Sequence, residues 1–408
     1  LFLDALAPQF RISGIRHPKD NGNEYYRLDA AKRTAYSPAN ASLAECTAGA
    51  QIRFRTDAEK LTLRITLRAA IAGMHHFTDR GAYGIDLYTG TGTKRTYLGA
   101  MMQTFADSPV YNEQTVALPG GMQEVTINLP LYGGINSFVI GMPENALLGL
   151  PLPRAIEKPI AFYGSSITQG GCVSRPANMY SHILCRMLDA DCLNLGFSGS
   201  AMGEQSIAEY LATREMSAFV MDYDYNSTSL ESLANTHYPF YKTVRRAHPD
   251  LPIVIVTHPY YHAEAENDKA RKDVIRETVR RAAEEGDTRV EFVDSEAFFP
   301  LLCGTESTDE GYLRAWKQLD QKQELAHREY CQRAPYSDFK VWELLSRALP
   351  PHTHLEVANS AAIRYNQLFP LPQSVTVSCN RGTSGIDGST STAVGAAVAL
   401  SPRPVTLV

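Results

Sequence analysis

Ile160-Ala-Phe-Tyr-Gly-Ser-Ser-Ile-Thr-Gln-Gly-Gly171 runs from four apolar residues into a glycine and two serines, and a helical pattern opens beyond Pro176. A buried strand that ends this way carries its hydroxyl to the carboxyl edge of a parallel sheet, where open α/β sheets place their sites. Ser166 is therefore the candidate nucleophile. The same pattern also suits a serine that only caps a helix in a strand-to-helix turn, so other parts of the chain have to decide.

Around this stretch, strand and helix patterns alternate. Ile160–Tyr163, Cys192–Gly196, Ala218–Tyr223, Ile253–Thr257 and Val290–Asp294 read as strands. Met179–Leu188, Gln205–Ala212, Leu230–His248 and Asp268–Glu285 read as the helices between them. Parallel strands need helical crossovers, so this order predicts an α/β/α domain over 160–300 with a sheet covered on both faces. Upstream, residues 1–150 lack a long helix. Short runs (Gln51–Thr56, Leu61–Leu67, Tyr83–Tyr88, Thr96–Met101, Gln123–Leu129, Ser137–Gly141) alternate with Gly- and Pro-rich turns, the pattern of an antiparallel β-sandwich. It reads as a packing or carbohydrate-binding module without chemistry of its own, although the loop-like Asp79–Tyr88 and Tyr132–Asn136 have the length to reach a neighbouring site. The proline-rich Pro151–Pro159 reads as the linker between the two.

Composition excludes several classes. The 408 residues are 44% hydrophobic and 20% charged, as in a globular protein with a sizeable core. Thirty-nine basic against 44 acidic side chains give a net charge of −5, with no basic run pointing to nucleic acid or an anionic membrane. No apolar stretch approaches the ~20 residues of a membrane span. Seven dispersed cysteines without Cys-x-x-Cys spacing argue against a disulfide framework and a zinc site. The expected compartment stays open between cytoplasm and periplasm, and the chain, starting at Leu1 rather than Met, reads as trimmed.

Three stretches fit one site. Ser166 follows the first strand; Asn194-Leu-Gly-Phe-Ser-Gly199 closes the second; Asp222-Tyr-Asp-Tyr-Asn226 closes the third. Acyl transfer needs a hydroxyl nucleophile and donors aimed at a developing oxyanion. The N–H groups of Ser166 and Gly199 and the carboxamide of Asn226 supply them. With Gly164-Ser-Ser166-Ile-Thr-Gln-Gly, these stretches resemble the first three blocks of the SGNH (GDSL-type) hydrolases, in particular the group with a β-sandwich before the catalytic domain. The resemblance covers about residues 1–300. It implies a flavodoxin-like α/β/α domain, esterase or deacetylase activity on small or carbohydrate esters, Ser166 as nucleophile, and Gly199 and Asn226 as oxyanion donors. Ser165 stands where these enzymes often have Asp.

The resemblance also implies an Asp-x-x-His pair before the last helix, and beyond Asp294 none occurs. His258, His262, His327, His352 and His354 are the remaining downstream histidines; His352-Thr-His354 has strand spacing for a metal but no further ligands nearby. Without a base the serine is a poor nucleophile at neutral pH.

The tail explains the gap. Tyr312-Leu-x-x-Trp316, Ser337-Asp-Phe-Lys-Val341, Ala358-Asn-Ser360 and the long Asn380-Arg-Gly-Thr-Ser-Gly-Ile-Asp-Gly-Ser-Thr-Ser-Thr392 resemble the interior of the MenD family, thiamine-diphosphate enzymes of menaquinone synthesis. That resemblance spans about 305–408, implies that Arg381 binds substrate carboxylates, and lacks the segments that hold Mg²⁺ and the diphosphate. The chain thus reads as a chimera joined near Pro300–Asp309: an impaired serine esterase followed by a MenD-like fragment, inactive alone. No cofactor or resident metal is expected, and the loss of a terminal helix is expected to uncover one sheet face. A non-catalytic carbohydrate-binding protein is the remaining alternative.

Overall fold

The computed structural model describes residues 1–68, 76–101, 111–257, 265–295, 310–358, 361–379 and 388–408. They form two compact units, Leu1–Gly304 and Thr305–Val408.

The first unit opens with ten strands: β1 (Phe2–Asp4), β2 (Arg11–Ser13), β3 (Gln51–Thr56), β4 (Lys60–Leu67), β5 (Ile85–Thr91), β6 (Lys94–Met101), β7 (Tyr111–Ala117), β8 (Gln123–Asn128), β9 (Ile135–Gly141) and β10 (Leu148–Gly149). They make two antiparallel sheets, ordered β1-β9-β4-β7 and β10-β3-β8-β5-β6, with β2 paired to β3. The alternation in β4 works as the sequence suggests: Leu61, Leu63, Ile65 and Leu67 are buried while the residues between them are half-buried.

Five parallel strands follow: β11 (Ile156–Gly164), β12 (Ala190–Gly196), β13 (Ala218–Asp222), β14 (Ile253–Val256) and β15 (Val290–Val293), in the order β12-β11-β13-β14-β15. The second half of β11, Ile160–Gly164, is a continuous apolar run because both its faces are buried there. Ala161 and Tyr163 face a core shared with the helices Gln205–Ala212, Leu230–Ala247 and Ala265–Glu284. Ile160 and Phe162 face the opposite core, which contains Met179 and Cys185 and also the sandwich residues Phe54, Leu63, Ile127 and Phe138. One face of the parallel sheet is therefore covered by helices, and the other by the helix Tyr180–Leu188 together with the sandwich. Towards the β14–β15 edge that second face is less covered, with Val254 and Val256 half-buried and Glu291 exposed.

The expected linker is welded in place. Arg154 donates to Asp191 at 3.0 Å, to Asp189 at 3.3 Å and to Gln51 at 2.9 Å. Arg53 pairs with Glu124 at 2.7 Å and lies 3.7 Å from Asp191, and Arg95 pairs with Asp189 at 2.5 Å. Three arginines and three carboxylates thus form a neutral cluster buried where the sandwich, the 151–155 segment and the start of β12 meet.

The second unit has its own core of Cys331, Phe339, Trp342, Leu355, Val357, Ile363 and Phe369. The helices Glu310–Arg333 and Asp338–Ala348 precede a parallel three-stranded sheet ordered β17-β16-β18: β16 (His354–Val357), β17 (Thr376–Cys379) and β18 (Val405–Leu407). The six described cysteines are free thiols, four of them buried. Among the described residues no helix is long and apolar enough to cross a membrane.

Candidate active site

β11, the second strand of the parallel sheet, sets the level of the site. Gly164, the last residue of β11, pairs with Gly196 on β12 and with Asp222 on β13. Three chain turns therefore leave the sheet side by side at its carboxyl edge, where the strand order reverses. A Cβ at Gly164 would lie 2.1 Å from Thr168 Oγ1 and 2.3 Å from the Asp222 carbonyl, and one at Gly196 would lie 2.1 Å from the Gln169 nitrogen. Both glycines are there so that the helix Ser166–Gln169 can settle onto the sheet.

The two serines divide the work between them. Ser165 is the helix cap, its Oγ accepting the Ile167 N–H at 3.2 Å. Ser166, the first helical residue, is half-buried, and among the described residues neither its hydroxyl nor its N–H has a hydrogen-bonding partner. Capping is thus assigned to Ser165, a residue able to replace Asp there. Gly199 sits three residues beyond β12 in the left-handed region at φ +65°; no acceptor among the described residues takes its N–H. Asn226 ends a short 3₁₀ turn (Asp224–Asn226) after β13. Its Nδ2 donates to the Phe197 carbonyl at 3.1 Å, which ties its carboxamide to the loop carrying Gly199 and leaves one amide hydrogen over.

Several positioning groups escaped the sequence reading. Gln169 bridges the turns, its Oε1 accepting from the Ser198 N–H at 2.9 Å. Asp222 accepts from Thr168 and from Tyr180, both at 3.1 Å. Tyr163 donates to Glu204 at 2.6 Å and accepts from the Gly203 N–H at 2.8 Å, anchoring the chain beyond Gly199. Arg271 holds the Asn226 turn through the carbonyls of Asp224 (2.8 Å) and Ser227 (2.9 Å). Gln169 stood in the quoted stretch and Asp222 at a strand end, so both were visible as residues. Their partners lie far away in sequence and were not.

The sandwich also reaches the turns of the site, and Asp86 in the loop-like Asp79–Tyr88 stretch is among the residues that do so. Thr78 donates to the Val173 carbonyl at 2.8 Å, and the Leu131 carbonyl accepts from Gln169 at 3.2 Å. Asp86, fully buried, accepts from Asn128, from the Ala177 N–H and from Arg175; Arg175 also donates to the Tyr88 hydroxyl at 2.5 Å. Burial raises the Asp86 carboxyl above its ordinary pKa, and these donors oppose the rise.

No described histidine bonds to Ser166. His182 and His237 are buried, and burial lowers both to about 4. His182 contacts the Gly49 carbonyl, His237 Thr278, and His248 the Leu211 carbonyl. His327, His352 and His354 belong to the second unit, where His354 bonds Thr376 and Glu356. His258, His262 and Arg381 lie outside the described residues. Among the described residues no three His, Cys, Asp or Glu side chains converge to hold a metal.

Comparison with known proteins agrees with this geometry. Residues 157–310 match the GDSL-like Lipase/Acylhydrolase family, and residues 1–148 match the N-terminal domain of SGNH-hydrolase-type esterases, whose GxDLY motif stands here as Gly84-Ile-Asp-Leu-Tyr88. A GDSL-like lipase structure from Bacteroides ovatus is 25% identical, with a TM-score of 0.64 over 72% of this chain and 86% of that one. A salicylyl-acyltransferase of a tetracycline biosynthetic pathway shares the fold at 16% identity and a TM-score of 0.58, over 72% of this chain and 84% of that one. The 2-succinyl-5-enolpyruvyl-6-hydroxy-3-cyclohexene-1-carboxylate synthase (MenD) of Flavobacterium johnsoniae is 46% identical over 101 residues, 25% of this chain. The chain spans only 18% of that enzyme's length. The SGNH-type likeness over the first three quarters and the MenD-like tail are thus both found.

Proposed function

We propose that, with residues 1–148 and 157–310 matching the two modules of SGNH-type esterases, this chain is a serine hydrolase of small or carbohydrate esters that works without a dedicated histidine. The observation that carries the reading is the set of groups at one sheet edge without a partner among the described residues: the Ser166 hydroxyl and N–H, the Gly199 N–H and one Asn226 amide hydrogen. Attack of Ser166 on an ester carbonyl places negative charge on the carbonyl oxygen, and three preorganised donors stabilise that charge. The alcohol then leaves with a proton, and water hydrolyses the acyl-enzyme.

A general base contributes ~10²–10⁴-fold to such a reaction, and no described imidazole supplies it. The rate of p-nitrophenyl acetate hydrolysis is therefore expected to rise steadily with pH, without the inflection near 6.5 that a histidine base gives, and to be accelerated by added imidazole. A fluorophosphonate probe should label Ser166 slowly. A plateau above pH 7 with fast labelling would show a working base and overturn the impairment. Absence of labelling, with hydrolysis equal to that of Ser166→Ala, would overturn the serine mechanism itself.

A further inference from the structure

Arg27 and Tyr132 lie in the N-terminal module, outside the five-stranded domain, yet both end against the turns of the candidate site. Arg27 is completely buried and, among the described residues, pairs with no carboxylate. Its guanidinium donates to the carbonyls of Gly196 at 2.7 Å, Asn194 at 3.2 Å and Leu43 at 2.8 Å, and it lies 4.6 Å from the centre of the Phe197 ring. A buried cation that answers only to carbonyl dipoles and a ring face is costly. What it does in return is fix the end of β12, where the Gly199 loop begins.

Tyr132 approaches from the other side. Its backbone is held by the Ala82 carbonyl (2.8 Å), and its ring packs on Phe77 at 4.6 Å. Phe77 in turn meets Gly171, two atoms of its ring lying 3.2 Å from where a Cβ would be. The Tyr132 hydroxyl donates to the Ser166 carbonyl at 3.4 Å and has the Ser198 side chain within reach. That carbonyl also accepts from the Gly170 (3.0 Å) and Gly171 (2.7 Å) N–H groups, so Tyr132 completes the closure of the nucleophile turn. That hydroxyl thus bonds the Ser166 turn and lies near Ser198, the residue before Gly199.

We infer that Arg27 and Tyr132 are positioning residues of the acyl-transfer site, so that the sandwich is a structural half of the catalytic centre rather than an appended binding module. The inference rests on the serine reading for its chemistry but not for its geometry. In the full chain, Tyr132→Phe keeps the ring and removes the hydroxyl; Arg27→Lys keeps the charge and removes the fork. Two readouts are followed: kcat and KM for p-nitrophenyl acetate, and hydrogen exchange of the amides of residues 166–171 and 197–201. Each variant is expected to lower kcat about tenfold, the scale of one hydrogen bond, with KM changed less than about twofold, and to speed exchange in those two turns only. Unchanged exchange in both turns for both variants would overturn the inference, whatever the activity. If the wild type neither turns over nor labels, the serine reading fails and exchange alone decides this one. Should Arg27→Lys not fold, Tyr132→Phe decides by the same readouts.

Discussion

Arg154→Met should cost the first unit about 3–5 kcal/mol, the scale for breaking a buried ion pair by removing one partner. Arg154 is the member of the buried cluster that touches both Asp189 and Asp191, and it comes from the segment joining the sandwich to β11. Its loss leaves Asp191 with Arg53 at 3.7 Å and the Ser13 hydroxyl at 3.2 Å, leaves Asp189 with Arg95 and the Ala155 N–H, and strands a Gln51 carbonyl oxygen. Methionine fills most of the volume, so the loss reports charge rather than a cavity. Both tryptophans, Trp316 and Trp342, lie in the second unit; unfolding is therefore followed in urea by near-UV tyrosine dichroism. A loss below about 1 kcal/mol would mean that the carboxylates find water or other partners, and the junction would then be no weld. Replacing all six charged residues with apolar ones is expected to cost much less than the single change, because neither sign is left uncompensated.

That junction marks what the sequence could and could not convey. Local pattern was sufficient for β3 and for the helix Gln205–Ala212, whose limits follow the expected spans. The parallel strands were readable where burial on both faces makes a continuous apolar run, as in Ile160–Tyr163, although β15 at the sheet edge keeps Glu291 exposed. β1, β2 and β10 are three residues or fewer, too short to show a period. β7, Tyr-Asn-Glu-Gln-Thr-Val-Ala, is largely polar and lacks an alternating apolar face.

The prolines of Pro151–Pro159 read as a linker because composition says nothing of Arg154's partners. Those partners are 35 to 103 positions away. The site followed the same rule. Ser166, Gly199 and Asn226 could be placed at one sheet edge because each follows a recognisable strand within a few residues. Arg27 and Tyr132 carried no local signature, since what matters about them is the opposite module they enter.

The second large effect is acid instability centred on two histidines. His182 and His237 are buried and held neutral, both lowered from 6.5 to about 4 by loss of solvation. In the unfolded chain each takes up a proton as pH falls through about 6.5, and in the folded chain only near 4. Between those limits the unfolded state binds more protons, so stability rises with pH. The contribution is fully present above about pH 6.5 and is lost progressively down to about pH 4, on the order of 3 kcal/mol per histidine. Asp86, raised by burial, acts in the opposite sense, so the histidine share is read as a difference. Urea stability of the wild type minus that of His237→Gln should change by about 2 kcal/mol between pH 7 and pH 4.5, with a similar result for His182→Gln. A difference independent of pH would mean that the imidazole reaches water when protonated. His237 matters to the site as well: its ring stacks on Tyr223 at 5.4 Å and its Nδ1 lies 2.7 Å from Thr278 on the helix Ala265–Glu284. That helix also carries Arg271, the clamp on the Asn226 turn. Protonating His237 therefore loosens the helix pair that holds Asn226 in place, and hydrolysis should fall with stability on the acid side rather than after it.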